Sequence, residues 1–185
     1  HSYLIDDNNT IDSLGSEAIV LPNTHSEVNF FIIPSWFYYL TTIGISCKSL
    51  VNVHHFQLDG LSSLERVAIG EDALTHPGYV YSPGNNSVYG CFRIINCPKL
   101  ECIRIGQHSF LDYHFFSLRN LPSLKIIEMK DDCFQSLKSF SLIGFLTCLH
   151  SSTDLPQLTS LVIGCEALSE CQSVVFESME TTELI

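Results

Sequence analysis

Charge is scarce in this sequence, and basic charge is scarcer still. Asp, Glu, Lys and Arg make up 16% of the 185 residues, and only nine are Lys or Arg. Residues 1–47 hold five acids and no base, and residues 139–185 hold six acids and no base. All nine bases lie in 48–138 beside nine acids, so the middle is neutral while the whole carries −11. No basic patch exists. A binder of phosphate backbones needs one, because displaced counterions supply most of its non-specific affinity. Nucleic acid and anionic membrane surfaces are therefore not expected partners.

Long apolar runs are missing too. The most apolar stretch, Phe30 to Leu40, is 11 residues interrupted by Pro34, too short to span a bilayer. It has no basic flank, so it is not a signal peptide, and no membrane insertion is expected in this segment. Catalytic and cofactor signatures are absent as well. There is no C-x-x-C, H-E-x-x-H, G-x-S-x-G, P-loop or dinucleotide fingerprint among these residues. Asp6-Asp7-Asn8-Asn9 lacks the alternating ligands and Gly of a calcium loop. No cofactor, metal or catalytic residue is expected, and the chain is read as a non-enzyme.

What the sequence does have is self-similarity. Phe116 to Phe134 aligns with Phe92 to Phe110 and with Phe56 to Leu74, in the pattern F-x-L-x-x-L-x-x-L-x-x-I-x-I-G-x-x-A-F. Ile32 to Leu50 fits with Phe37, Leu40, Ile43, Ile45, Ser49 and Leu50 in the slots and Pro34 where Leu is expected. Another copy opens at Phe140-Ser141-Leu142 and resumes at Leu158, Leu161 and Ile163. Leu40, Leu64, Leu100, Leu124 and Leu158 share one slot at separations of 24, 36, 24 and 34. The period is 24, with insertions of 12 and 10 in the turn-rich stretches 75–91 and 146–154.

Such a unit reads as a coil. L-x-x-I-x-I ends in the period of a strand, with alternate residues inward. F-x-L reads as a second short strand on the other side. Gly70, Gly106 and Gly164 follow the strand, where a positive φ is expected of them. One coil cannot bury its own apolar face, so stacked coils must share a core. The expected organisation is a partial coil or cap over 1–31, an array over 32–176, and the start of a further repeat at 177–185. Both chain ends read as cuts from a longer protein.

The segment Leu124-x-x-Ile127-x-Met129-x-x-Asp132-x-Phe134 resembles the leucine-rich-repeat strand L-x-x-L-x-L-x-x-N-x-L. The I-G-x-x-A-F form, as in Ile69-Gly70 to Ala73-Leu74, resembles the BspA-like branch of that superfamily. The resemblance implies an α/β fold, a right-handed solenoid of stacked β-coils with a parallel sheet, mostly β with short helical or irregular connections. It also implies binding of a protein partner, adhesion or scaffolding, at the cell surface or in secretion rather than in the cytoplasm. The alternatives are an intracellular scaffold, or an array that positions a catalytic domain elsewhere in a longer chain. The usual Asn slot holds Lys48, Asp72, His108, Asp132 and Glu166, so no Asn ladder is expected at that corner.

Two regions are candidates for recognition. The outward strand positions form the columns Val20, Gly44, Ala68, Arg104, Glu128, Val162 and Ala18, Thr42, Arg66, Cys102, Ile126, Ser160. Within them, Arg66, Arg104, Ile126 and Glu128 make a mixed apolar and charged strip, although Arg104 and Glu128 suit an ordinary cross-strand ion pair equally well. The first insertion sets Tyr79, Tyr81 and Tyr89 among Gly, Ser and Asn, a composition suited to adaptable recognition, or to a mere repeat excursion. Trp36, Tyr38 and Tyr39 are expected to pack against neighbouring coils, with an exposed anchor as the alternative. Cys97 and Cys133 sit in core slots, and Cys102 and Cys165 in more exposed ones. The sequons at Asn8 and Asn85 lean weakly toward secretion.

Overall fold

The computed structural model describes residues 2–3, 18–21, 29–76, 90–143 and 157–177, with the backbone alone at 2–3, 18–21 and 177. The strands, in chain order, are β1 (Ser2–Tyr3), β2 (Ala18–Leu21), β3 (Phe30–Ile33), β4 (Thr42–Ile45), β5 (His55–Asp59), β6 (Arg66–Ile69) and β7 (Gly90–Ile95). They continue as β8 (Cys102–Ile105), β9 (Tyr113–Arg119), β10 (Ile126–Met129), β11 (Ser139–Ile143), β12 (Ser160–Ile163) and β13 (Ser173–Glu177). There is no helix among the described residues. The helical connections implied by an α/β class are replaced there by turns.

All strand pairs are parallel. They form a seven-stranded sheet in the order β1-β2-β4-β6-β8-β10-β12 and a six-stranded sheet in the order β13-β11-β9-β7-β5-β3. From β2 to β13 the chain passes alternately from one sheet to the other, with the exception that the step from β1 to β2 stays in the seven-stranded sheet. The F-x-L segments do form the second sheet.

One core lies between the sheets. Ile43, Ile45, Val67, Ile69, Ile103, Ile105, Ile127 and Met129 enter it from the first. Phe31, Phe56, Phe92, Phe116 and Phe140 enter from the second and stack ring on ring, with centroids 5.0, 4.9, 4.9 and 4.7 Å apart. The corners are closed by Leu40, Leu64, Leu100 and Leu124 on one side and by Leu50, Leu74, Phe110 and Phe134 on the other. Burial fades at the last strands: Ile163, Val174 and Phe176 pair with buried Met129, Phe140 and Leu142 yet are exposed.

The corner after each of β4, β6, β8, β10 and β12 has a repeated backbone. Lys48, Asp72, His108, Asp132 and Glu166 are left-handed, with φ of 54–59°, and so are Leu50, Leu74, Phe110, Phe134 and Leu168 two positions on. Such a conformation is unfavourable for L-residues by about 1 kcal/mol each. Inter-strand bonds hold it. Asp72 N donates forward to Gln107 O at 2.9 Å, and Leu74 N donates backward to Ser49 O at 2.9 Å. The backbone thus supplies the bonds that an Asn ladder would otherwise make.

Gly70, Gly106 and Gly164 do not need positive φ, contrary to expectation; among described glycines only Gly60 has it. Their reason is closeness. A Cβ on Gly106 would lie 2.5 Å from the Gly70 carbonyl carbon, and one on Gly164 2.5 Å from Asp131 N. The strand exits run backbone against backbone.

Candidate interaction surface

On the outward face of the seven-stranded sheet the register sets Gly44, Ala68, Arg104, Glu128 and Val162 side by side, with Thr42, Arg66, Cys102, Ile126 and Ser160 beside them. These are the two columns expected from the period. Arg104 Nε lies 3.3 Å from Glu128 Oε2, and Lys130 Nζ lies 2.9 Å from Glu128 Oε1. The hydrogen bond from Lys130 holds the Glu128 carboxyl below the usual carboxylate range. The Arg66 side chain is 66% exposed, with its Nη2 4.0 Å from Oε2 of the adjoining Glu65. Ile126 is half-buried between Cys102 and Ser160.

Where the column carries Gly44 and Ala68 instead of long side chains, the face sinks. An open depression of ≈ 310 Å³ results, lined by Gly44, Ala68, Gly70, Ser46 and Cys47 with the edges of Ile45 and Ile69. The strip therefore has two parts: a small-residue hollow beside Arg66, and a charge-compensated ridge at Arg104, Glu128 and Lys130. Tyr79, Tyr81 and Tyr89, and the second insertion, lie outside the described residues.

A second patch departs from expectation. Trp36 is 59% exposed, Tyr39 56% and Tyr38 48%, so these aromatics do not pack against neighbouring coils. The turn between β3 and β4 explains this. Phe37 N donates to Pro34 O at 3.2 Å and Leu40 N to Phe37 O at 3.1 Å. Those bonds aim Phe37 and Leu40 into the core, and the residues between them point out. Tyr38 and Tyr39 lean together with ring centroids 4.5 Å apart. Nearby on β3, Phe30 and Ile32 are also more than half exposed, and Phe30 stacks on His55 at 5.0 Å. The slot assignment of Phe37 and Leu40 was the sequence signal that left Trp36, Tyr38 and Tyr39 facing outward.

One buried carboxylate was not visible in the sequence. Asp112 is 6% exposed, and its Oδ2 lies 3.6 Å from His54 Nδ1. Burial pushes its carboxyl up to about 6. Burial likewise lowers His54, helped by the nearby charge of His76. Next to it Tyr113 donates its hydroxyl to Val53 O at 2.6 Å.

The cysteines divide by depth. Cys97 and Cys133 are buried, with thiols against Ile95 O at 3.3 Å and Gly106 O at 3.0 Å, and burial pushes both up to about 11. Inert core thiols are the result. Cys47 and Cys165 are exposed, and all seven described cysteines are unbridged.

Set against known proteins, the chain matches no family model, no curated protein and no solved structure.

Proposed function

We propose that this chain is a segment of a leucine-rich-repeat solenoid, of the BspA-like kind, that binds a protein partner and carries out no catalysis. The repeat supports the architecture: neighbouring strands of the first sheet pair at offsets of 24, 24, 36, 24 and 34 residues, as Ala18 with Thr42, Thr42 with Arg66, Arg66 with Cys102, Cys102 with Ile126 and Ile126 with Ser160. The observation that carries the binding role is the patch of Trp36, Tyr38, Tyr39, Phe30 and Ile32. Five large apolar side chains stand exposed within ten positions. Contiguous exposed apolar surface of this kind marks interaction sites. Trp and Tyr are also the residue types that dominate binding energy when a partner covers them. The strip at Arg66, Arg104, Ile126 and Glu128 is a polar recognition surface on the same reading.

The test compares proteins retained from native-source extract by the immobilised wild type, by Trp36→Ala/Tyr39→Ala and by Arg66→Ala/Arg104→Ala. The aromatic variant should lose specific partners at an unchanged melting temperature, with a weakening of about 30-fold or more for a hot-spot residue. Unaltered retention by both variants would overturn the reading.

A further inference from the structure

The two sheets treat their outward cations differently. On the first, Arg104 and Lys130 share Glu128 at 3.3 and 2.9 Å, and Arg66 lies 4.0 Å from Glu65. On the second, Arg93 of β7 and Arg119 of β9 are exposed, and among the described residues neither side chain pairs with a carboxylate. Asp59 is the only acid whose side chain is described at an outward position of this sheet. It already accepts from the Asn96 side-chain amide at 2.9 Å. Positive charge therefore stands uncompensated on one face of a chain whose net charge is −11.

The same face carries exposed apolar groups. The register sets Phe30, His55, Cys91 and Phe115 in one row, and Ile32, Gln57, Arg93 and Ser117 in the next. Phe30, Ile32 and Phe115 are exposed. Arg119 lies in the row beyond, between Ile95 and Ile143. We propose that the outward face of the six-stranded sheet binds an extended, acidic segment of a partner protein, with an apolar side chain over Phe30 and Ile32 and carboxylates on Arg93 and Arg119. This rests on the protein-binding reading and names the chemistry of the partner.

The chemistry of the arginines selects the ligand group. A guanidinium presents a planar fork of donors that takes a carboxylate through two parallel bonds. No acid of the described chain fills that fork at Arg93 or Arg119. Arg, Trp and Tyr are also the residue types that carry most binding energy at interfaces. A phosphate backbone fits this face less well. Two arginines neutralise too few phosphates to hold a nucleic acid against the repulsion of an acidic chain.

The register also sets a spacing. Ile32 and Arg93 share a row with β5 between them, which places them about 10 Å apart at roughly 4.8 Å per strand. An extended chain crossing the strands covers that distance in about three residues. With the reach of the arginine side chain included, the apolar anchor and the acid stand roughly two to four positions apart.

Display of random peptides on the immobilised protein tests this, with peptides of about ten residues so that they can cross the whole sheet. Enriched sequences should hold Asp or Glu and a large apolar residue at that spacing. As free peptides, followed by fluorescence anisotropy, they should bind Arg93→Glu/Arg119→Glu at least about 10-fold more weakly than the wild type, and bind the wild type more weakly as salt rises. Both arginines are exposed and unpaired, so the variant should keep the wild-type melting temperature. Enriched peptides without acids, or acidic peptides held equally by the charge-reversed variant, would overturn this inference. If those peptides still failed to bind Trp36→Ala/Tyr39→Ala, the protein-binding reading would stand without it. An absence of any enriched sequence would also overturn the inference and leave the extract comparison to decide that reading. Displacement of the peptides by an equal concentration of an oligothymidylate would assign the arginines to nucleic acid and overturn it too.

Discussion

Asn120 donates from Nδ2 to Asn96 Oδ1 at 2.8 Å, and Asn96 donates in turn to Asp59 Oδ1 at 2.9 Å. A ladder of amides therefore does exist, at the corner that follows the second-sheet strands and not at the slot where the resemblance places one. Both asparagines are left-handed, with φ of 53° and 55°, and Gly60 at 71° holds the same place after β5. Asn adopts this conformation more readily than other side-chain-bearing residues. Asn120→Ala should lose about 1–2 kcal/mol from backbone strain plus one exposed hydrogen bond. Asn120→Gly keeps the conformation and should lose less than half of that. Urea unfolding of both variants checks the order, and equal losses would show that conformation is not the reason for Asn.

Gly106 meets the main chain that follows the neighbouring strand β6, where a Cβ would stand 2.5 Å from Gly70 C and 2.6 Å from Glu71 N. Main chain cannot yield as a flexible side chain can. Gly106→Ala should therefore destabilise by more than about 2 kcal/mol, as overpacking does, although its φ would suit alanine. Chemical denaturation measures this; a loss within about 0.5 kcal/mol, the level of a neutral surface change, would contradict the close approach.

These two corners show what the sequence does and does not disclose. The period disclosed which residues become neighbours, because a fixed offset of 24 carries Arg104 onto Glu128 without any knowledge of the turns. It also disclosed that the L-x-x-I-x-I and F-x-L segments are both strands. It did not disclose why a conserved-looking slot holds glycine, since close approach and positive φ select the same residue. Nor did it disclose the amide ladder, because Gly60, Asn96 and Asn120 read as ordinary spacers between F-x-L and the next Leu. Asp112 was hidden for a related reason. It falls in the interval between the Phe110 and Phe116 slots, where a sequence pattern assigns no inside or outside.

Phe92 is the centre of the aromatic column. It is fully buried, stacked at 4.9 Å on both Phe56 and Phe116, and met edge-on by Phe110 at 5.1 Å. Phe92→Ala should cost about 3–5 kcal/mol, from lost transfer energy and a cavity that a stack locked from both sides cannot fill. Phe92→Leu keeps much of the volume and should cost about 1–2 kcal/mol. Thermal unfolding of the two variants checks the difference.

Asp112 makes stability depend on pH in a direction opposite to most carboxylates. Burial raises its carboxyl from 3.8 to about 6, so between those values the folded state holds a proton that the unfolded state has released. Stability from this group is full below 3.8 and falls as pH rises toward 6, by up to about 1.4 kcal/mol per pH unit. His54 acts the other way. Its lowered value means that the unfolded state takes up a proton first as pH falls through 6.5, which costs stability on the acid side. Asp112→Asn removes the carboxylate and keeps its shape. The variant should match the wild type near pH 4, gain on it steadily up to pH 6, and stay more stable above. Urea unfolding of both proteins at half-unit steps from pH 4 to 8 gives the difference directly. A difference that does not change with pH would mean that Asp112 is ionised in the fold at its ordinary value, with His54 protonated beside it.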